Sequence, residues 1–308
     1  MANISLRQLR YFDALAQLLH FGRAAEQCAV TQPALSMQIQ ELEKEIGAVL
    51  IERTRAGAKL TPEGAEIARR VASILASIRD LADYARHSAS VLTGRLQLGV
   101  IPTIAPYVLP KLLPSLRAEH PDLDLHLRET QTQYLIEDLI AGRLDALLLA
   151  LPVEHPEIEM QVLFEDTFVL ALPASRPLPP KAVATPDLFE NDRLLLLEEG
   201  HCLRDQALSF CDLKQVENLD TFGTTSLSTI VQMVSNGLGV TLLPRISLET
   251  EARRGDIQVL PFAPPEPHRK VGLAWRQSSP RKRDFAELGR IVKRLHSECG
   301  CGSRKPAA

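Results

Sequence analysis

Two of the five cysteines in this 308-residue chain stand where they could do chemistry. The run Leu194 to Leu197, followed by Glu198-Glu199-Gly200-His201-Cys202-Leu203-Arg204-Asp205-Gln206-Ala207, reads as a strand, a tight turn and a helix start. Cys202 then sits at a helix N-terminus, where the helix dipole, Arg204 and His201 would favour the thiolate, and the thiolate is the nucleophile. A solitary free cysteine is more often a small buried hydrophobe. Cys211, nine residues on, changes that weighing, because a reactive thiol near a second thiol is the arrangement of a redox sensor.

Hydroxyl side chains supply a second set of candidates. Thr103 and Thr132 each follow a strand-like run, and Thr225-Ser226 occupies a strand-to-helix junction. Ligands of α/β proteins gather at the carboxyl ends of sheet strands. Taken singly, each residue also reads as a helix N-cap. Cys28 lies in a short Ala-rich helix and is expected in the core. Cys299 and Cys301, with His296, lack the paired spacing of a structural zinc site, so neither metal nor cofactor is expected.

The elements that position these groups belong to a globular chain. With 45% hydrophobic and 24% charged residues and a net charge of -3, disorder and collagen-like structure are excluded, and about two domains are expected. The apolar run from Leu144 to Val153 is broken by Asp145 and Pro152, far short of the roughly 20 residues of a membrane span. The first residues, MANISLRQLRYF, lack the apolar core and cleavage site of a secretory signal. A cytoplasmic protein with no membrane partner is the expectation.

Residues 5 to 19 carry Leu6, Leu9, Phe12, Leu15, Ala16 and Leu19 at helical spacing. A short helix over Arg23 to Ala29 and a third from Thr31-Gln32-Pro33 to about Ile46 follow, with Gly47 as a terminator. Val49 to Lys59, bearing Arg53, Arg55 and Gly57, reads as a basic hairpin. Three helices and a hairpin make a winged helix-turn-helix order. From Pro62 to about Ser88, Ile67, Val71, Ile74, Ile78 and Leu81 form a heptad-like seam, which predicts pairing with a second copy rather than packing on its own chain. Beyond Gly94, strand-like runs at 95–101, 122–128, 145–151, 166–172, 193–197, 239–243 and 270–275 alternate with helical ones, predicting a mostly parallel sheet.

In a helix-turn-helix the second helix enters the major groove and needs small or amide side chains in its first turns. Thr31, Gln32, Ser36, Gln38 and Gln40 meet that need, since Gln can bridge adenine N6 and N7 and Thr or Ser can bond a base or a phosphate. Net charge offers no support: residues 1–70 hold nine Lys/Arg against eight Asp/Glu. The stretch Ala29 to Gln40 nevertheless carries no acid and could approach a phosphate backbone.

Phe12, Phe21-Gly22-Arg23-Ala24-Ala25, Thr31-Gln32-Pro33-Ala34-Leu35-Ser36, Gln38-Ile39, Leu42-Glu43, Gly47, Leu50, Arg53 and Leu60-Thr61-Pro62-Glu63-Gly64 closely resemble the N-terminal signature of LysR-type transcriptional regulators. Gly22 and Thr31 depart from the commoner residues there. Gly-His-Cys-Leu-Arg-Asp-Gln-Ala, with Phe210-Cys211 after it, resembles the redox motif of the hydrogen-peroxide-sensing members of that family.

The resemblance implies an α/β protein with an all-α N-terminal part. A winged helix-turn-helix domain (1–61) and a dimerising linker helix (62–92) would precede a periplasmic-binding-protein-like regulatory domain (93–301). The regulatory domain would comprise subdomain I, about 93–164 and 268–300, and subdomain II, about 165–267, before a disordered tail (302–308). It implies that Cys202 is the peroxidatic cysteine and Cys211 the resolving one, joined reversibly as a disulfide. Thr103, Thr132, His201, Arg204, Asp205, Ser226 and Arg269 would line a peroxide pocket. Arg23, Thr31, Gln32, Pro33, Ser36, Gln38, Arg53 and Arg55 would contact DNA. Implied partners are promoter double-stranded DNA, hydrogen peroxide, RNA polymerase, a glutaredoxin- or thioredoxin-like reductant, and further copies of the chain as a dimer assembling to a tetramer. The implied role is nucleoid-associated control of antioxidant genes. Two other functions stay open: a LysR-type regulator answering a metabolite, and a thiol peroxidase, against which the N-terminal module argues.

Overall fold

The computed structural model describes residues 3–54, 57–86, 91–185, 192–210, 219–220, 224–252 and 256–298. By packing the chain divides into two compact units, residues 1–86 with 140–143, and residues 87–139 with 144–308.

In the first unit, α1 (Leu6–Leu18) starts from a reciprocal cap in which the Ser5 hydroxyl accepts from the Gln8 amide and the Gln8 side chain accepts from the Ser5 backbone. α2 (Phe21–Gln27) and α3 (Gln32–Ile46) follow. Thr31 caps α3, Pro33 sits in its first turn, and Gly47 ends it at φ 78°. β1 (Ile51–Thr54) and β2 (Gly57–Leu60) pair antiparallel as the expected wing. α4 (Pro62–Arg86) then runs for 25 residues. Phe12, Leu15, Leu35, Leu42 and Leu50 are all fully buried in one core. Gly64 lets α4 come close to the chain before the wing, since a Cβ there would lie 2.0 Å from the Leu50 carbonyl oxygen.

The predicted heptad seam divides in two. Val71 is 3% exposed and, with Ile67 beside it, packs into the core of its own unit, which corrects the expectation of a seam wholly given to a second copy. Ile74 and Leu81 are exposed at 47% and 73%. The reason is geometric: α4 packs against α1, and Ile67, Ala68, Val71 and Leu75 join the core of the first unit.

The second unit opens with β3 (Gly94–Val100), α5 (Ala105–Glu119), β4 (Leu123–Glu129), α6 (Thr132–Ile140) and β5 (Ala146–Leu151). The long β6 (Ile158–Pro173) is followed by β7 (Leu194–Leu195), α7 (Cys202–Phe210), β8 (Leu219–Asp220) and α8 (Leu227–Ser235). β9 (Thr241–Pro244), a short turn, α9 (Leu248–Glu251), β10 (Ile257–Pro261), β11 (His268–Arg276) and α10 (Lys282–Glu298) complete it. The large sheet has the order β10-β6-β11-β5-β3-β4, with β9 also on β6.

β3 is parallel to β4 and β5, as βα alternation requires. β11 runs antiparallel to both β5 and β6, and β6 antiparallel to β9 and β10. The sheet is therefore mixed, which corrects the mostly parallel expectation. β6 carries the chain out over 16 residues, pairing first with β11 and then with β9 and β10, and β11 brings it back, so the two crossing strands must oppose each other. β10 and the first half of β6 were absent from the expected strands. Among the described residues no helix is long and apolar enough to cross a membrane.

Candidate functional site

α7 begins on Cys202, and the turn before it depends on Gly200. Its φ of 90° lies in the left-handed region, and a Cβ there would come within 2.6 Å of Gln131 Oε1. Gln131 Nε2 donates to the Glu199 carbonyl at 3.3 Å. The turn thus lays His201 and Cys202 against the Gln131-Thr132 start of α6 and against Ile101-Pro102-Thr103 beyond β3. These residues line a single crevice.

The cation that draws the Cys202 sulfur toward its thiolate is Arg269, on β11. Arg269 is fully buried and held at three points. Its Nε donates to Asp166 Oδ2 at 2.9 Å, one terminal nitrogen donates to Thr103 Oγ1 at 2.9 Å, and the other donates to the Thr103 carbonyl at 3.1 Å. Asp166, opposite Arg269 in the β6–β11 register, also accepts from the Ile246 amide at 3.1 Å. Sequence reasoning missed Asp166. An acid heading the apolar run Phe168 to Leu172 was the signal that could have found it.

Burial pushes the Cys202 thiol up, and Asp205 adds to the rise. Arg269, Thr132 and the Leu203 backbone pull the other way without reversing it. The expectation that Arg204 and His201 favour the thiolate is corrected. Arg204 is paired with Glu199 at 3.2 Å, and burial pushes His201 down, leaving a neutral imidazole at neutral pH. Desolvation of the sulfur outweighs its place at the helix start.

Around this turn Thr132 Oγ1, His201 Nε2, Arg204 Nε and Gln206 Oε1 are buried without a hydrogen-bond partner. Thr132 comes near enough to favour the thiolate, yet makes no well-directed bond to the sulfur. Two of these atoms, Thr132 Oγ1 and His201 Nε2, belong to residues that line the crevice beside Cys202. Ser226 and Asp205 are not brought to the crevice: Ser226 is an exposed N-cap residue of α8, and Asp205 is exposed on α7. Cys211 and Arg55 lie outside the described residues, as do Cys299, Cys301 and the tail. Cys28 packs beside the first unit's core, and burial pushes its thiol up too.

On the first unit, Arg23, Thr31, Gln32 and Pro33 are exposed around the start of α3. Ser36 accepts a hydrogen bond from Arg53, whose guanidinium also lies 4.6 Å from the centre of the Phe21 ring, so wing and helix are tied together. Gln38 donates to Glu41 at 2.7 Å within α3.

Residues 6–65 match the family described as bacterial regulatory helix-turn-helix protein, lysR family, and residues 89–296 match the LysR substrate binding domain. The chain belongs to the LysR family. A relative from Streptomyces viridosporus, named a probable hydrogen peroxide-inducible genes activator, is 42% identical over 293 residues, covering 94% of this chain and 93% of the relative. A full-length OxyR structure from Pseudomonas aeruginosa, carrying a cysteine-to-aspartate change, superposes with a TM-score of 0.80 at 37% identity, covering 94% of this chain and 98% of that one. An OxyR from Corynebacterium glutamicum, carrying a cysteine-to-serine change and described as H2O2-bound, gives 0.68 at 32% identity, covering 99% and 98%. The winged helix-turn-helix and periplasmic-binding-protein-like architecture of the LysR family is therefore that of this chain.

Proposed function

We propose that this LysR-family regulator senses hydrogen peroxide through Cys202 and Cys211 and passes the signal to promoter DNA. The observation that carries the reading is the crevice where Thr103, Thr132 and His201 meet Cys202, backed by the buried Arg269. The names of the relatives support it.

In this reading the Cys202 sulfur attacks one peroxide oxygen and the O–O bond breaks. The second oxygen leaves as hydroxide and takes up a proton to become water. Sulfur gives up two electrons and becomes a sulfenic acid. The Cys211 thiol then attacks that sulfur, expelling water and forming the disulfide, which a glutaredoxin- or thioredoxin-like dithiol reduces again. The chemistry is a signal rather than turnover, so the chain is a regulator and not a peroxidase.

Residues 1–61 would read DNA, with Arg23, Thr31, Gln32, Pro33, Ser36, Gln38, Arg53 and Arg55 at the interface. Residues 62–92 would join two copies, and 93–301 would sense. Dimers assembling to tetramers, contact with RNA polymerase and a nucleoid-associated place in the cytoplasm complete the proposal.

The test is a DNA footprint of full-length protein under reducing and peroxide-treated conditions, with Cys202→Ser alongside. A peroxide-dependent footprint that dithiol restores and Cys202→Ser lacks is expected. A footprint indifferent to peroxide overturns the reading.

A further inference from the structure

We propose that Asp166 is a positioning residue of the peroxide site, holding Arg269 so that Thr103 is fixed as a hydrogen-bond donor beside Cys202. The inference rests on the peroxide-sensing reading.

Geometry begins with the sheet. Asp166 on β6 and Arg269 on β11 are direct partners in the antiparallel register, and both side chains are at 0% exposure. A guanidinium is planar and carries only donors. With Nε on Asp166 and both terminal nitrogens on Thr103, the plane of Arg269 is set from two ends. Asp166 does not drift, because its other oxygen accepts from the Ile246 amide at 3.1 Å.

Hydrogen-bond polarity then decides what Thr103 can do. Arg269 has nothing to accept with, so Thr103 Oγ1 must accept from it at 2.9 Å. The hydroxyl keeps its own hydrogen for another acceptor, and Thr103 lines the crevice that holds Cys202. When sulfur attacks peroxide, the electron pair of the O–O bond moves to the departing oxygen. A donor already held in place stabilises that developing charge without having to reorient. Asp166 touches neither sulfur nor peroxide and acts only through Arg269 and Thr103.

A buried ion pair could equally serve the fold alone, and the two roles separate in the rates. In full-length protein, sulfenic acid formation at Cys202 by hydrogen peroxide is timed by dimedone trapping, and alkylation of Cys202 by iodoacetamide is timed at the same pH. The ratio of the two rates cancels any change in thiolate fraction. Asp166→Asn keeps the shape and removes the charge, and we expect the ratio to fall about tenfold or more. In an Arg269→Gln background the same change should leave the ratio where Arg269→Gln put it, because the path to Thr103 is already cut. An unchanged ratio in Asp166→Asn, a parallel fall of both rates, or a further fall in the Arg269→Gln background overturns the proposal. Should Asp166→Asn alone fail to fold, the double variant with its two neutral amides still allows the comparison with Arg269→Gln. Wild type that forms no sulfenic acid at Cys202 overturns the peroxide-sensing reading itself, whereas normal wild-type oxidation with an unchanged Asp166→Asn ratio overturns only the role of Asp166.

Discussion

Arg269 and Asp166 face each other across neighbouring strands with Nε 2.9 Å from Oδ2, and water reaches neither side chain. Such a pair is tolerable whole and costly when halved, since the surviving charge stays buried without its counter-ion. Arg269→Leu should therefore lower unfolding stability by about 3–5 kcal/mol. Replacing both, as Asp166→Leu with Arg269→Met, should recover much of that loss in a urea titration. A double variant as unstable as the single would count against the pair as the source.

DNA reading should depend on the exposed start of α3. Gln32 is exposed there, and Ser36 receives the Arg53 hydrogen bond that ties the wing to the helix. Gln32→Glu places a negative charge against the groove and is expected to lower operator affinity at least about tenfold. Ser36→Ala frees the Arg53 guanidinium and should cost less. Fluorescence anisotropy with operator DNA measures both, and unchanged binding by Gln32→Glu would remove α3 from the interface.

Much of this molecule is legible in its amino-acid sequence. The caps of α3, Thr31 and Gly47, fall where the residue types put them, and β3, β4 and β5 follow the expected apolar runs. Local pattern could not reveal that β6 and β11 pair antiparallel, because that follows from a return across the sheet about a hundred residues later in the chain. The crevice was half legible. Thr103, Thr132 and Cys202 were marked by the junctions they occupy, whereas Asp166 matters only through its cross-strand partner. The sign of the Cys202 shift also escaped, since helix position is local and burial is not.

Self-association should separate the two halves of the α4 stripe. Ile74 and Leu81 are exposed, whereas Val71 is buried in its own unit. Ile74→Glu and Leu81→Glu should shift the protein toward monomer in sedimentation velocity while leaving its thermal unfolding nearly unchanged. Val71→Glu buries a charge in the core and should instead destabilise the N-terminal unit. Association untouched by both exposed changes would exclude α4 as the contact.

The pH dependence of Cys202 follows from the sign of its shift. Burial raises the thiol above its ordinary 9.0, so the protonated form prevails at neutral pH and thiolate gathers only as pH climbs past that value. Iodoacetamide labelling of wild type should have its midpoint above 9.0. Arg269→Gln should move the midpoint higher still, because Arg269 is the strongest influence favouring the thiolate. A midpoint below that of an ordinary thiol would show that Arg269, Thr132 and the helix start together outweigh the burial of the sulfur.

The switch itself is constrained by the length of α7. The helix runs unbroken from Cys202 to Phe210, eight residues on, which is a rise of about 12 Å. Successive Cα atoms lie about 3.8 Å apart, so covalent reach alone keeps the Cα of Cys211 at least roughly 8 Å from that of Cys202 while α7 persists. A disulfide needs the two within about 7 Å. Closing it must unwind α7 and pull Leu203 and Ala207, 4% and 1% exposed, from the cores they fill. Peroxide-treated wild type should therefore carry a Cys202–Cys211 disulfide and lose amide protection between about Gly200 and Asn218. Cys202→Ser should show neither change. Cys211→Ser should form the sulfenic acid yet keep α7 protected and give an incomplete DNA response. Hydrogen exchange unchanged across α7 in the oxidised protein, or mass spectrometry placing the bond on another cysteine pair, would rule this switch out.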